Sequence, residues 1–264
     1  MEPQGTAALL AAAESLLGAV TLGSMRAFGL TFVFPLFSWT RLTGVLRMVF
    51  ALGVSLPVSL AARHTLAVPD WPMLLVLAAK EFAVGAFLGL LLAVPFWGLQ
   101  AAGDVVDAYR GASAANMQDP MNAAEQTVLG ALLVQLGLAL FVVSGGLLAL
   151  LGVVHESYAA WPLTRLAPPF DMALGRLVGV VLGALVRVAV TVAFPLLMVL
   201  LLVDLALVFL ARSARQFPAF DLSVTLKNLA FLLMLPACAA FLATWFRGEW
   251  AAAVAVLRIV LRGS

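Results

Sequence analysis

Six ionisable side chains sit in or beside long apolar runs: Arg26, Lys80, Glu81, Arg187, Asp204 and Lys227. In a membrane segment each such group costs at least ~2.5–3.5 kcal/mol on insertion scales, so it pairs inside the protein, lines a wet path or reaches the interface. Three kinds of chemistry follow. Charges on broken helices can couple ion flow to transport. Opposite charges on neighbouring helices can lock them together. Long side chains near helix ends can extend to the headgroups. Asp204, in LLLVDLALVFL, has apolar residues deep on both sides and is too short to reach water. It is expected to face protein or a wet cavity and to find a donor there. Arg212 is about two turns further along the same run, too far for direct pairing. Lys227, from another helix, is the expected partner.

Enzymatic constellations are missing. Ser113 stands in GASAA, which is not a G-x-S-x-G elbow, and His64 and His155 are isolated interfacial polar residues. Neither a phosphate-binding loop nor H-E-x-x-H nor a Cys/His metal spacing occurs in the sequence. The single cysteine, Cys238, lies in an apolar run and rules out an intrachain disulfide. The chain is read as a non-enzyme without a cofactor or metal.

The elements that must carry the six charges follow from composition. The chain is 64% apolar and 11% charged, against roughly 45–50% and about 25% in soluble domains. That places it in the membrane class. A formal charge of +2 is too small and scattered to indicate nucleic acid. The start, MEPQGTAALLAAAESLLGAV, lacks a basic leader and carries Glu2 and Glu14, so it is read as retained and not as a cleaved signal.

Hydrophobic runs predict an all-α chain of about six long helices, at residues 15–37, 45–62, 73–103, 128–154, 177–211 and 222–246. A last stretch, 249–262, is too short to span and is expected to form a separate short helix on a surface. As a single helix, the run 177–211 would be roughly 50 Å long against a hydrocarbon core of ~30 Å. It must tilt, kink at Pro195 or project. No soluble domain is left over, so the chain is read as one helical domain over 1–264. Gly85 and Gly89, and separately Gly175, Gly179 and Gly183, recur every four residues. Such small-residue stripes let helix backbones approach closely, and a face kept for a partner subunit is compatible with that. The basic residues Arg41, Arg47, Arg212, Arg215 and Lys227 would be cytoplasmic if the N-terminus is outside.

Between the third and fourth runs lies a segment unlike the rest, 104–126, DVVDAYRGASAANMQDPMNAAEQ. It is acidic and rich in small side chains, and Asp119-Pro120 favours a turn. Irregular backbone at membrane depth is tolerated only inside protein or beside water. A plain surface loop and a re-entrant, pore-occluding segment are both compatible with this composition.

The stretch DVVDAYRGASAANMQDP, followed by EQTVLGALLVQ, resembles the signature region of the type III secretion export-apparatus family known as SctT in injectisomes and FliR in flagella. The RGAS…DP…Q…LG.LL pattern is closer to the injectisome branch. KEFAVGAFLG, with Lys80, Glu81, Gly85 and Gly89, is similar to the family's K-E-x-x-x-G-x-x-x-G helix. PLLMVLLLVDLALVFLARSARQFPAFDLSVTLK, with Asp204, Arg212 and Lys227, resembles its D-L-A-L…R…K segment; SARQFPAF keeps the pattern after that arginine only loosely.

The resemblance implies a core component of the export gate at the base of the secretion machine, in the bacterial inner membrane. It implies a fold like a fusion of two smaller gate subunits, with bent helical hairpins. Implied partners are several copies each of SctR-like and SctS-like subunits, an SctU-like switch protein, and needle or rod components. Unfolded exported proteins would pass through. Arg110, Gly111, Ala112, Ser113, Ala114, Ala115, Asn116, Met117, Gln118, Asp119 and Pro120 would form the plug that helps to close the channel. Lys80, Glu81, Gly85, Gly89, Asp204, Arg212 and Lys227 would be buried charges and packing positions. The rival readings are a small secondary transporter, with Lys80, Glu81 and Asp204 as coupling charges, and a structural membrane scaffold.

Overall fold

The computed structural model describes residues 3–39, 43–62, 70–111, 127–166, 174–213 and 219–262. Among the described residues the secondary structure is helix and turn, with no strand. In chain order the helices are α1 (Pro3–Val33), α2 (Pro35–Trp39), α3 (Gly44–Ala62), α4 (Trp71–Tyr109), α5 (Val128–Val143), α6 (Gly146–Ala160), α7 (Leu174–Ser213) and α8 (Ala219–Arg262). Five helices are long and apolar enough to cross a membrane, six if α5 and α6 count as one broken span. The all-α, polytopic membrane architecture expected from the hydrophobic runs is what the structure has.

The first run, expected at 15–37, starts at Pro3 and is divided at Phe34 into α1 and α2, and three further boundaries differ from the expectation, each for a local physical reason. The run 128–154 is two helices, not one. Ser144 ends α5, and Gly145 takes φ 79°, a left-handed conformation that a right-handed helix cannot continue through. The stretch 249–262 is not a separate helix but the tail of α8, which is 44 residues long. A glycine inside a helix costs only ~1 kcal/mol, and that is too little to stop α8 at Gly248. Glu249 and Trp250 are both held, the first by an ion pair with Arg187 and the second in the core. Finally, the polar segment does not begin at Asp104: α4 continues to Tyr109, and the chain leaves it only at Arg110 and Gly111. Residues 112–126 lie outside the described residues.

The chain divides into two compact units where sequence reading expected one domain. The first holds residues 1–93, 145–174 and 252–264. Its core is Leu22, Leu30, Phe34, Leu88, Leu92, Leu150 and Val153, all at most 1% exposed. Here α1 lies against α4 backbone to backbone. A side chain at Gly85 would collide with the carbonyl of Arg26, one at Gly29 with the carbonyl of Phe82, and one at Gly89 would sit 2.9 Å from the carbonyl of Leu30. The K-E-x-x-x-G-x-x-x-G stripe on α4 is therefore a close-packing face, as small-residue spacing favours.

The second unit holds residues 94–144 and 175–251. Phe96 anchors it, with ring centroids 5.8 Å from Phe141 and 5.4 Å from Phe246, while Phe141 meets Trp250 at 4.6 Å. Such tilted and edge-on contacts suit the aromatic quadrupole. In contrast to Gly85, Gly179 and Gly183 have nothing within 4 Å of the place a side chain would start. At Gly179 and Gly183 the stripe faces no described part of the chain closely. Much of α7 and α8 is apolar and exposed, including Val190, Phe194, Leu202, Phe209, Leu232 and Leu233. The helices α4 and α7 continue through Pro95 and Pro195, and α3 and α8 through Pro57 and Pro236.

Candidate functional site

The first unit encloses a charge cluster. Arg26 and Glu81 are each fully buried. Arg26 Nε donates to Glu81 Oε2 at 2.7 Å, and Nη2 to Glu81 Oε1 at 3.1 Å, a two-pronged pairing. Nη1 donates to Ser157 Oγ at 3.0 Å, and Nη2 also to the carbonyl of Trp161 at 2.8 Å. The guanidinium carbon lies 4.2 Å from the centre of the Tyr158 ring, whose hydroxyl donates to the carbonyl of Gly23. Lys80 joins from the next position on α4. Its Nζ is 2.5 Å from Glu81 Oε1 and donates to the carbonyls of Leu163 at 3.0 Å, Arg165 at 3.2 Å and Pro162 at 3.4 Å. So α1, α4, α6 and the turn after α6 are tied at one point. Charges this deep persist only when paired and fully hydrogen-bonded.

The second unit carries a more open cluster. Asp204, in the last quarter of α7, has a side chain 30% exposed. Lys227 Nζ of α8 is 2.9 Å from Asp204 Oδ1, Tyr109 Oη donates to Oδ2 at 2.9 Å, and Ser223 Oγ lies 3.5 Å from Oδ1. Lys227 Nζ is also 4.9 Å from the centre of the Tyr109 ring. A cleft of about 420 Å³ opens beside these groups, lined by Tyr109, Arg110, Gly111, Asp204, Ser223 and Lys227 and by apolar residues of α7 and α8. Arg212, two turns beyond Asp204, is exposed in the last turn of α7, where a cation complements the carbonyl end of the helix.

The ends of the polar segment are built into the same unit. Asp107 is 1% exposed and serves two elements. Its Oδ2 accepts from the backbone N–H of Leu129, in the first turn of α5, at 2.8 Å. Its Oδ1 accepts from Arg110 Nε at 2.8 Å and Nη2 at 2.5 Å. Thr127 caps α5 by accepting from the N–H of Gly130, and its hydroxyl donates to Asp104 Oδ1 at 2.7 Å. Gly103 and Gly130 meet backbone to backbone, where a side chain would not fit. Gly111, at φ 80°, turns the chain away from α4.

Of the residues expected to matter, the structure brings Lys80 and Glu81 together in one cluster and Asp204 and Lys227 in another. It puts Arg110 and Gly111 at the edge of the cleft. Ala112 to Pro120 lie outside the described residues. Several members were not legible. Arg26 stood out only as a charge in an apolar run, and nothing in its spacing pointed to Glu81, Ser157 or Trp161. Asp104, Asp107 and Tyr109 were read as loop, although the three-residue spacing of Asp104, Asp107 and Arg110 was a signal that α4 continues.

The model of the family described as bacterial export proteins, family 1, matches residues 17–253. The chain is 32% identical to the surface presentation of antigens protein SpaR of Salmonella typhimurium over 226 residues, which is 83% of this chain and 82% of that protein. It is 30% identical to the Yop proteins translocation protein T of Yersinia pestis over 62% of this chain, and spans 64% of that relative's length. It is 27% identical to the flagellar biosynthetic protein FliR of Bacillus subtilis over 86% of this chain and 88% of that protein. The match to the family model runs from the first long helix through Trp250 in the last one, and the chain belongs to the bacterial export proteins, family 1.

Proposed function

We propose that the chain is a core component of a type III secretion export gate, helping to form and close the channel through which unfolded proteins cross the bacterial inner membrane. The observation that carries this reading is the family match over residues 17–253, with its 32% identity to SpaR across most of both proteins. The relative in Salmonella named secretion system apparatus protein SsaT points the same way. The wide apolar exposure of α7 and α8 supports assembly with other helices, and the SctR-like, SctS-like and SctU-like subunits and the needle or rod components are the proposed partners. Fully buried Glu81, paired with Arg26, is a poor coupling charge for the rival transporter reading, since a coupling group must be reached by its ion.

In this reading residues 110–120 are the plug. The side chains of residues 111–115 are small, so the segment can fill a narrow passage and leave it with little loss of contact area. Residues Arg110 and Gly111 bring the chain out beside Asp204 and Lys227. The test is deletion of residues 112–120. Cells making the shortened chain should assemble the apparatus yet leak small ions across the inner membrane. Unchanged ion permeability with assembly intact would remove the plug. Purification tests the wider reading: the chain should come out in a defined hetero-oligomer, and recovery as a functional single species would favour a transporter.

A further inference from the structure

We infer that Asp107, through Arg110, is a positioning residue that fixes both ends of the plug segment to one frame, so that α4 and α5 stay joined whether the gate is closed or exporting. The inference rests on the plug reading above for its consequence in export, and on described residues alone for its geometry.

Two carboxylates on α4, Asp104 and Asp107, reach the start of α5. Asp107 takes the N–H of Leu129 and Asp104 takes the hydroxyl of Thr127, the residue that caps α5. Negative charge at a helix N-terminus is favourable, because the first-turn N–H groups have no partner within the helix. Asp107 is also the acceptor for two nitrogens of Arg110, the last side chain before the turn at Gly111. The outward side of Arg110 is held in turn: Nη1 donates to Asn228 Oδ1 at 3.3 Å, and the guanidinium carbon lies 4.2 Å from the centre of the Phe231 ring.

One buried carboxylate thus grips the place where the chain leaves α4 and the place where it enters α5. With Gly103 against Gly130, no side chain separates the two helices there. Parting α4 from α5 would strip Asp107 of the Leu129 N–H and leave that N–H without its acceptor. Both losses fall on buried groups, which makes parting the costly route for any motion. Arg110 therefore stays with Asp107, and displacement of residues 112–120 alone breaks none of these bonds.

The test uses the full chain in its purified complex, with Cys238→Ala removing the native thiol. Spin labels go on Val105→Cys and Val128→Cys, both exposed, one on each helix. Pulsed electron-electron resonance should give one narrow distance peak, the same in the resting complex and in one jammed by a substrate fused to a folded domain. A peak that moves on jamming would overturn the inference. Asp107→Asn should broaden the peak and make resting cells leak ions; an unchanged peak in that variant would also overturn it. If Asp107→Asn does not accumulate, Arg110→Gln serves, because it leaves the bond to Leu129 in place. It should broaden the peak less, Arg110→Lys should restore it, and equal peaks in all three chains would refute the role of the pair. A chain lacking residues 112–120 that stays tight to ions removes the plug reading while leaving the distance result to stand by itself.

Discussion

Among the described residues, two of the charge clusters have similar composition and opposite character. In the first unit, Arg26 and Glu81 are sealed, and each nitrogen of Arg26 has an acceptor. In the second, Asp204 and Lys227 are 30% and 14% exposed beside an open cleft. The sealed cluster joins four chain segments at one point and has no room to change. The open one leaves its acid where water, or another chain, can reach it. The same residue types therefore do different work: enclosure makes a charge pair a rivet, and partial exposure makes it a contact point.

Breaking the sealed pair should have the largest effect. Glu81→Ala leaves Arg26 buried without its main acceptor, and removal of one partner of a buried pair costs about 3–5 kcal/mol. Full-length chain should largely disappear from membranes, and a normal level in that variant would erase the contrast between the clusters. Replacing both partners by apolar residues, Arg26→Met with Glu81→Leu, should recover much of the loss, since the penalty is for a charge left alone. The next effect is steric. Gly85→Ala puts a methyl group into the carbonyl of Arg26 and should cost ~1–3 kcal/mol, the range for an overpacked core. Gly179→Ala meets open space and should stay within ~0.5 kcal/mol in the chain by itself. A comparison of melting temperatures in detergent checks both.

Asp204 comes third. Asp204→Ala loses a charged hydrogen-bond acceptor that is partly wet, on the order of 1–2 kcal/mol. It should impair recovery of the complex and secretion, and Asp204→Asn should be milder if the role is hydrogen bonding alone. Wild-type secretion from both variants would leave the open cluster without a task. The smallest effect is expected at Glu156 and Arg258, which pair at 2.9 Å in the first unit with side chains 41% and 43% exposed. Glu156→Ala should cost ~0–1 kcal/mol, because water and salt screen an exposed pair. A loss as large as that at Glu81 would mean that exposure is the wrong variable for sorting these charges.

The all-α class and the five or six long apolar helices were legible because membrane spans announce themselves by composition. The breaks were harder. Ser144 and Gly145 stop a helix through one backbone angle, and hydropathy carries no sign of that. The last stretch reads as a helix of its own because Arg247, Gly248 and Glu249 interrupt an apolar run; the structure spends Glu249 on Arg187 and keeps going. The pairing of Asp204 with Lys227 could be reasoned out because a short acid in an apolar run needs a donor from somewhere. The partners of Arg26 could not, since Ser157 and Trp161 come from far along the chain and only the fold brings them near. Asp107 was hidden for a different reason: small residues and acids look like loop until their acceptor oxygens are seen to cap another helix.

The glycine contacts between α1 and α4 have a mechanical side. Where Gly29 and Gly85 let main chain rest on main chain, there is no rotamer to flip and no methylene to compress. A push on one of these two helices passes to the other without slack. The pair can swing or tilt only as a single strut, and any motion of the molecule has to find its joint elsewhere.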